Sequence, residues 1–357
     1  MKNITVGIVE NDYTQEGAAP FSDSSSYRWK EQLTNNGFQI KIIDVYAADI
    51  VSQLKGCDAF MWRWGHFGGM YKIARRILPI IENSLNLLVY PDQNTSWHYD
   101  DKIIQSYLFE LHDIPTPKTW VWYDKSKALN GVKNLNFPIV LKFATGAASE
   151  NVILLNSINE ANIWIERLFS YNLLSLNKLQ FTKLSLIEVI RQIKNIALYR
   201  KRHLFNYDGY EPQSGYVLFQ EFLKNNAFDT RITVIGNRAF GYRRKNRKND
   251  FRASGSGNID YNPQLIDQKF IHLAFDISRK LNLQSCAIDG LYDNQNNNVV
   301  GEISYTYISQ YIYNCIGHWE LNGSPYLGSL NWIEGHMWPE EVQIEDFIKR
   351  INQRLMP

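Results

Sequence analysis

Late in the chain, two carboxylates fall on what read as neighbouring strands. Asp289 lies in LQSCAIDGLYD (283–293). Glu302 and Ser304 lie in VVGEISYTY (299–307), after the turn NQNNN (294–298). Alternate residues of a strand share a face, so Glu302 and Ser304 point the same way and hairpin pairing brings Asp289 beside them. Two carboxylates on one face repel unless a cation joins them. Mg²⁺, bound by one or two carboxylates plus substrate phosphates, is the natural occupant. An exposed strand charge explains either acid taken alone. Lys142 interrupts the apolar run FPIVLKF (137–143), where an ammonium is costly unless it leaves the core or meets an anion such as phosphate. Lys102, in a helical stretch before IPTP (114–117), is a second such cation. Each lysine alone is also explained by snorkelling to the surface.

Between these groups lie further candidates. ATGAASENV (144–152) is a small-residue loop containing Gly146 and Ser149, and its backbone N–H groups could close over phosphates. It is not the GxxxxGK[ST] phosphate loop. VLFQEFL (217–223) is a strand with Gln220 and Glu221 at its middle and Leu223 at its end. Such a segment can accept from an exocyclic amine and offer backbone groups to a purine edge; polar positions of an edge strand are the plainer explanation. Arg231 follows Asp229, and Arg243, Arg244 and Arg252 come after, the last inside NDFRASGSG (249–257). Arginine meets phosphate and carboxylate bidentately. Residues 238–252 are basic, but no aromatic-interleaved pattern for nucleic acid accompanies them.

Three segments must position these groups. Residues 1–97 alternate strands (4–9, 38–43, 58–62, 86–90) with helices (25–36, 70–84), which predicts a Rossmann-like βαβ domain. Residues 98–215 hold a helix (98–112), an extended exit, strands at 119–123, 138–143 and 152–155, and an amphipathic helix at 159–169. Within that segment, 171–205 carry seven Lys or Arg against one acid, Glu188. This reads as a basic helical insert, either a solvated accessory face or a surface approaching acidic polymer or anionic lipid headgroups. Residues 216–357 return to strands (216–223, 230–236, 238–244). Hairpin turns are expected at Asn225–Asn226 and Gly236–Asn237, followed by a helix (262–282) and the closing hairpin. The fold class is therefore α/β followed by two α+β subdomains.

Composition sets bounds. The 357 residues exceed one ordinary domain. A net charge of +2 gives no global case for a nucleic-acid partner. Cys57, Cys286 and Cys315 are odd in number and lack the spacing of a disulfide framework or zinc cage. The apolar run at the N-terminus ends too soon at Glu10 for a signal peptide, and no stretch of about 18 apolar residues spans a membrane. A soluble, cytoplasmic protein is expected, its oligomeric state left open.

The order of these features is more specific than any one of them. DK, IPTPKT, PIVLK, a Gly/Ala/Ser loop, VLFQEFL, D-x-R-x-x-V-I-G, DFR with a Gly-rich loop, and Asp followed by G-E-I-S succeed one another over about 98–307. This resembles the ATP-grasp superfamily, which includes D-alanine–D-alanine ligase, biotin carboxylase and the ligases that add glutamate to ribosomal protein tails. DTRITVIG and NDFR look most like the glutamate-adding branch. The resemblance implies an ATP-grasp fold preceded by its usual N-terminal domain. It implies ATP and Mg²⁺ as cofactors, and a carboxylate and an amine joined through an acyl phosphate. Lys102 and Lys142 would hold the ATP phosphates, and the 145–151 loop with Gly146 and Ser149 would be the lid. Gln220, Glu221 and Leu223 would line the adenine and ribose pocket. Asp289 and Glu302 would hold Mg²⁺, and Arg231 or Arg252 would face the acyl phosphate or carboxylate. Two departures stand out: Ser304 replaces the usual Asn on the metal side, and the lid has few glycines and contains Glu150. MWRWGHF (61–67) and YPDQNTSWHYDDK (90–102) look like ATP-grasp proteins of bacterial surface-polysaccharide biosynthesis. That likeness implies a sugar-borne substrate met by Trp62, Trp64, His66, Trp97 and His98, residues that core packing explains equally. A kinase acting on a hydroxyl and a non-catalytic nucleotide-binding scaffold are the rival functions.

Overall fold

The computed structural model describes residues 4–10, 25–65, 70–146, 151–170, 213–248, 250–253, 255–325 and 328–355. The segment that precedes the lysines folds as four parallel strands and their helices. In chain order these are β1 (Thr5–Ile8), α1 (Ser25–Asn35), β2 (Gln39–Ile42), α2 (Ile50–Gln53), β3 (Ala59–Met61), α3 (Met70–Pro79) and β4 (Leu88–Tyr90), with sheet order β2-β1-β3-β4. Parallel sheets are buried on both faces, and this one is. Phe60 and Val89 pack with Tyr71, Ala74 and Leu78 of α3 on one side. Val6, Ile8 and Met61 pack with Trp29 and Leu33 of α1 on the other. The helix expected over 70–84 changes character at Pro79, and a wider π turn (Ile80–Ser84) completes it.

The second sheet is antiparallel. It follows α4 (Gln93–Ser96) and α5 (Lys102–Leu111) and is built around β5 (Thr119–Trp122), α6 (Lys125–Gly131), β6 (Ile139–Lys142), β7 (Val152–Leu155), α7 (Ile158–Ser170) and β8 (Val217–Glu221). Its order is β5-β8-β6-β7. Leu141, Phe143 and Phe219 meet Ala161, Trp164, Ile165 and Leu168 of α7 beneath it. The basic insert 171–205, Ser149 and Glu150 of the expected lid, and His66 lie outside the described residues.

The third sheet holds β9 (Phe228–Ile235), β10 (Arg238–Lys245), β11 (Ile259–Asp260), β12 (Ser285–Tyr292), β13 (Asn298–Ser304), β14 (Gly317–Asn322) and β15 (Ser329–Glu334). Its helices are α8 (Gln268–Lys280), α9 (Ser309–Tyr313) and α10 (Pro339–Leu355). The order is β13-β12-β9-β10-β14-β15, with β11 beside β10. Phe270, Ile271, Ala274 and Ile277 of α8 cover one face, on Ile232, Val234, Ile288 and Val300. Strand alternation therefore turns Asp229, Arg231 and Asp289 to the opposite face, and the extra residue Gly301 in β13 shifts the alternation so that Glu302, paired with Asp289, joins them.

Two local expectations differ. Gly236–Asn237 closes the β9–β10 hairpin, but Asn225–Asn226 closes none: it carries the chain from the second sheet to the third, because β8 pairs with β5 and β6. Asn225 takes a left-handed conformation there (φ 67°), and the Asn226 amide exchanges two hydrogen bonds with the Tyr292 backbone, each 2.9 Å. The second difference is the start of the helix expected from 262. A 3₁₀ turn occupies Pro263–Leu265, and α8 begins only after Asp267, whose carboxylate caps Lys269 N. Among the described residues no helix is long and apolar enough to cross a membrane.

Candidate functional site

The Asp101 carboxylate accepts from the backbone N–H of Ile103 (3.1 Å) and Ile104 (3.0 Å), which fixes Lys102 as the first residue of α5. From there the buried Lys102 Nζ joins all three parts of the site. It donates to Gly146 O at 3.0 Å, sits 3.2 Å from Asp100 Oδ1 and lies 3.5 Å from Glu302 Oε1. Burial alone would lower its pKa, but Glu302 and Asp100 outweigh burial and hold it above the ordinary lysine value. Asp100 also accepts from Gly146 N at 2.9 Å. Gly146 has φ +134°, and a Cβ there would meet the Asn151 amide at 2.5 Å, so the site needs glycine.

Lys142 ends β6, opposite Val152 on β7 and Leu218 on β8. Unlike Lys102 it makes no ion pair among the described residues. Burial is the main cause that lowers its pKa to about 8; Lys102 adds to the effect, while Glu302 and Asp289 oppose it. Lys102, Lys142, Gln105, Thr119, Leu218 and Gln220 line one narrow cleft between α5 and the second sheet, floored by Gly301 of β13.

Asp289 and Glu302 are directly paired across β12 and β13, with a bulge at Asp289/Gly290. A Cβ on Gly290 would stand 2.4 Å from the Phe270 ring, so the packing of α8 against this strand needs glycine there. Asp289 is also paired in register with Arg231 of β9, and their side chains form a fork: Nε to Oδ1 at 2.6 Å, a terminal nitrogen to Oδ2 at 2.7 Å. Arg244 of β10 donates to the same Oδ2 at 2.7 Å and grips Asp229 at 2.7 and 2.6 Å. Burial would raise the Asp289 pKa, but the two guanidinium groups overcome it and hold the carboxyl well below the usual range. Asp229, with burial dominant, is shifted upward.

The remaining expected residues are placed as follows. Ser304 Oγ donates to Thr306 O at 2.7 Å. Gln220 donates to Thr119 Oγ1 at 3.0 Å, Glu221 accepts from Asn294 at 3.3 Å, and Leu223 is buried. Arg252 is paired with Asp250 at 2.7 Å and reaches Val152 O at 3.4 Å, beside the strand that leaves the 144–152 loop. Trp62, Trp64 and His98 are buried, the tryptophans within the first domain's core, whereas Trp97 is 48% exposed. Burial pulls the His98 imidazole down to about 4.

Sequence reasoning passed over Asp100 and Gln105. Gln105 stands three residues after Lys102, a spacing that shares a helix face. Its amide donates to Ile303 O (2.8 Å) and accepts from Ile303 N (3.1 Å), clamping the residue next to Glu302. A polar residue amid KIIQSYLF was the available signal. Asp100 has φ 48°, which no sequence pattern announces.

Two facing carboxylates suit Mg²⁺ in type, and Arg231 and Arg244 keep Asp289 ionised. Among the described residues no three His, Cys, Asp or Glu side chains converge, so further ligands would come from phosphate oxygens or water. The arginines engage both Asp289 oxygens, which leaves Asp289 only its remaining lone pairs for a cation.

Residues 208–312 match the family described as RimK-like ATP-grasp domain. Over 78 residues the chain is 31% identical to the alpha-aminoadipate–LysW ligase LysX of Saccharolobus solfataricus; the match spans 22% of this chain and 28% of that relative's length. D-cycloserine synthetase DcsG superposes with a TM-score of 0.56 at 13% identity, covering 97% of this chain and 99% of that one. The macrocyclase MdnC of Microcystis aeruginosa MRC, solved with its precursor peptide MdnA, gives 0.55 at 13% identity over 97% and 100%. N5-carboxyaminoimidazole ribonucleotide synthetase from Thermotoga maritima gives 0.52 at 15% identity over 90% and 73%. The parallel N-terminal sheet and two antiparallel sheets are the architecture that the sequence led us to expect; residues 208–312 are similar to the RimK-like ATP-grasp domain, and over nearly its whole length the chain shares the fold of these solved structures.

Proposed function

We propose that the protein is a carboxylate–amine ligase that uses ATP and passes through an acyl phosphate, releasing ADP and phosphate. The observation that supports this best is that Lys102 and Lys142 line one cleft beside Gly301, while Lys102 also lies 3.5 Å from Glu302, the strand partner of Asp289. Such a set binds a polyphosphate at one end and neutralises a transferred phosphoryl group at the other.

In this reading Lys142, which lacks an acid partner, takes the phosphates directly, and Lys102 does so while tied to Gly146. Gln220, Glu221 and Leu223 border the base and ribose. Mg²⁺ held at Asp289 and Glu302 would neutralise charge on the phosphates. The substrate carboxylate attacks the γ-phosphorus, and ADP leaves. Arg231, whose fork now holds Asp289, or Arg252 would face the acyl phosphate or the substrate carboxylate, with Arg244 beside Arg231 as a further cation. The amine then displaces phosphate from the acyl carbon. No side chain acts as a covalent nucleophile, so positioning supplies most of the rate. Among the described residues, the sugar-borne substrate implied by the surface-polysaccharide likeness keeps one exposed aromatic contact, Trp97.

Thermal unfolding with and without Mg-ATP tests the nucleotide site. Ligand at about 100 times its dissociation constant stabilises by roughly 2.7 kcal/mol. The shift should appear in wild type and vanish in Lys142→Ala. A panel of paired carboxylates and amines then tests the chemistry: ADP and free phosphate in equal amounts support ligation, and phosphorylated substrate without free phosphate refutes it.

A further inference from the structure

Arg63 follows β3, at the carboxyl ends of the parallel strands, where open α/β sheets receive ligands. Its side chain crosses to the third sheet. Nε donates to Thr306 Oγ1 (3.1 Å), one terminal nitrogen to Ser25 Oγ (2.8 Å) and the other to Tyr307 O (2.5 Å). All three acceptors are neutral. Arg231, Arg238, Arg244, Arg252 and Arg350 each face a carboxylate, whereas Arg63 pairs with none among the described residues.

A guanidinium has five N–H donors. With three used, one remains on each terminal nitrogen, the number a carboxylate takes in a two-pronged contact. Ser25, Arg63, Thr306, Tyr307 and Ser309 line a small crevice here. The nearest acid of the network, Glu340, lies behind it. Glu340 is 1% exposed and accepts from Ser25 (2.7 Å) and Ser309 (2.5 Å), so the hydroxyls screen it from the crevice.

The crevice is joined to the Asp289–Glu302 pair through the chain that continues β13. Thr306 is four residues beyond Glu302, no more than about 14 Å along the chain. Tyr99 and Tyr305 stack edge to face, with ring centroids 5.0 Å apart, and the partly buried Tyr99 lies within electrostatic reach of both Arg63 and Glu302.

We propose that the Arg63 crevice binds a carboxylate of the substrate that reacts at Asp289 and Glu302. This rests on the ligase reading above for the reaction, and on Arg63 for the binding. Arg63 and the buried Glu340 it reaches through Ser25 sum to zero, so a singly charged carboxylate adds one unit of negative charge here where a phosphate dianion would add two. The substrate class is thus a small molecule with an anionic group set apart from its reacting group.

Succinate serves as the probe, titrated calorimetrically into the full chain with saturating Mg-ADP so that the phosphate cleft is filled. Wild type should bind it saturably. Arg63→Gln should weaken binding at least about tenfold, and Arg63→Lys, which keeps charge but not the fork, should fall between. Inorganic phosphate should bind more weakly than succinate. Equal affinity in wild type and Arg63→Gln, no binding in wild type, or tighter phosphate binding would overturn the proposal. Should Arg63→Gln fail to fold, Thr306→Val, which removes only the hydroxyl holding Nε, must still lower succinate affinity. Mg-ADP binding alone is measured first. Its absence with Arg63-dependent succinate binding sinks the ligase reading and leaves the crevice; Mg-ADP binding without succinate binding does the reverse.

Discussion

Lys142 is held against its own preference. Burial draws its pKa from 10.5 to about 8, so the folded chain disfavours the ammonium relative to the unfolded chain. For a lysine lowered in this way the cost is full below about pH 8 and fades as pH rises from there towards the unfolded value. Each pH unit between the two values is worth about 1.4 kcal/mol. At about pH 6.5 the ammonium therefore costs on the order of 3 kcal/mol, and at about pH 9.5 nearer 1.4 kcal/mol. Lys142→Met, which keeps the aliphatic bulk, should stabilise the ligand-free protein by those amounts and abolish its stabilisation by Mg-ATP. Urea unfolding at both pH values, wild type beside variant, reads the effect. A variant no more stable at pH 6.5, or a gain that does not shrink at pH 9.5, refutes the claim that this lysine is strained for lack of an anion.

Asp289→Asn removes the carboxylate shared by two buried guanidinium groups and should cost about 3–5 kcal/mol of stability by urea unfolding, with loss of any Mg²⁺ effect on nucleotide binding. A cost under 1 kcal/mol would mean the network is exposed and weak. Gln105→Leu strips two hydrogen bonds from the Ile303 backbone. It should cost about 1–3 kcal/mol and weaken Mg-ATP binding, since Glu302 is the next residue; unchanged nucleotide affinity would leave Gln105 a purely structural clamp.

The parts of the site read most easily from sequence are those joined locally. Asp289 and Glu302 sit on two strands linked by a short polar turn, so period-two alternation and hairpin pairing were enough to put them side by side. Lys142 announced itself as a charge in an apolar strand. The partners of Asp289 were another matter. Arg231 lies 58 positions away and Arg244 lies 45, and their contacts follow from β12 pairing with β9 and β9 with β10, a register that no local pattern states. The same non-locality misplaced the Asn225–Asn226 turn: its residues are turn formers, but which sheet the next strand enters is decided by tertiary pairing. The C-terminal helix shows it again, since Ile344, Phe347 and Ile351 close the core of the first sheet from the far end of the chain. Trp62 and Trp64 read as well for sugar contacts as for core, and burial places them in the core; only depth distinguishes the two.

Charge balance around the cleft leads to a last expectation. Lys102, Lys142, Arg231 and Arg244 supply four positive charges, and Asp100, Asp229, Asp289 and Glu302 four negative ones, so the set sums to zero. Three of the cations are already matched at 2.6–3.5 Å, which leaves Lys142 as the cation of this set without a carboxylate partner. Glu302, a third exposed, faces the same space and repels phosphate. A polyanion therefore gains little there unless a divalent cation comes with it and turns Glu302 from a repulsive group into a ligand. Chelating Mg²⁺ should weaken ATP binding by well over tenfold, about 1.4 kcal/mol or more. Glu302→Gln, which removes the repulsion and the ligand together, should bind metal-free ATP more tightly than wild type yet gain little from added Mg²⁺. Equal affinity for ATP with and without Mg²⁺ in wild type would show that the carboxylate pair is structural, and that the cleft holds phosphate by its lysines alone.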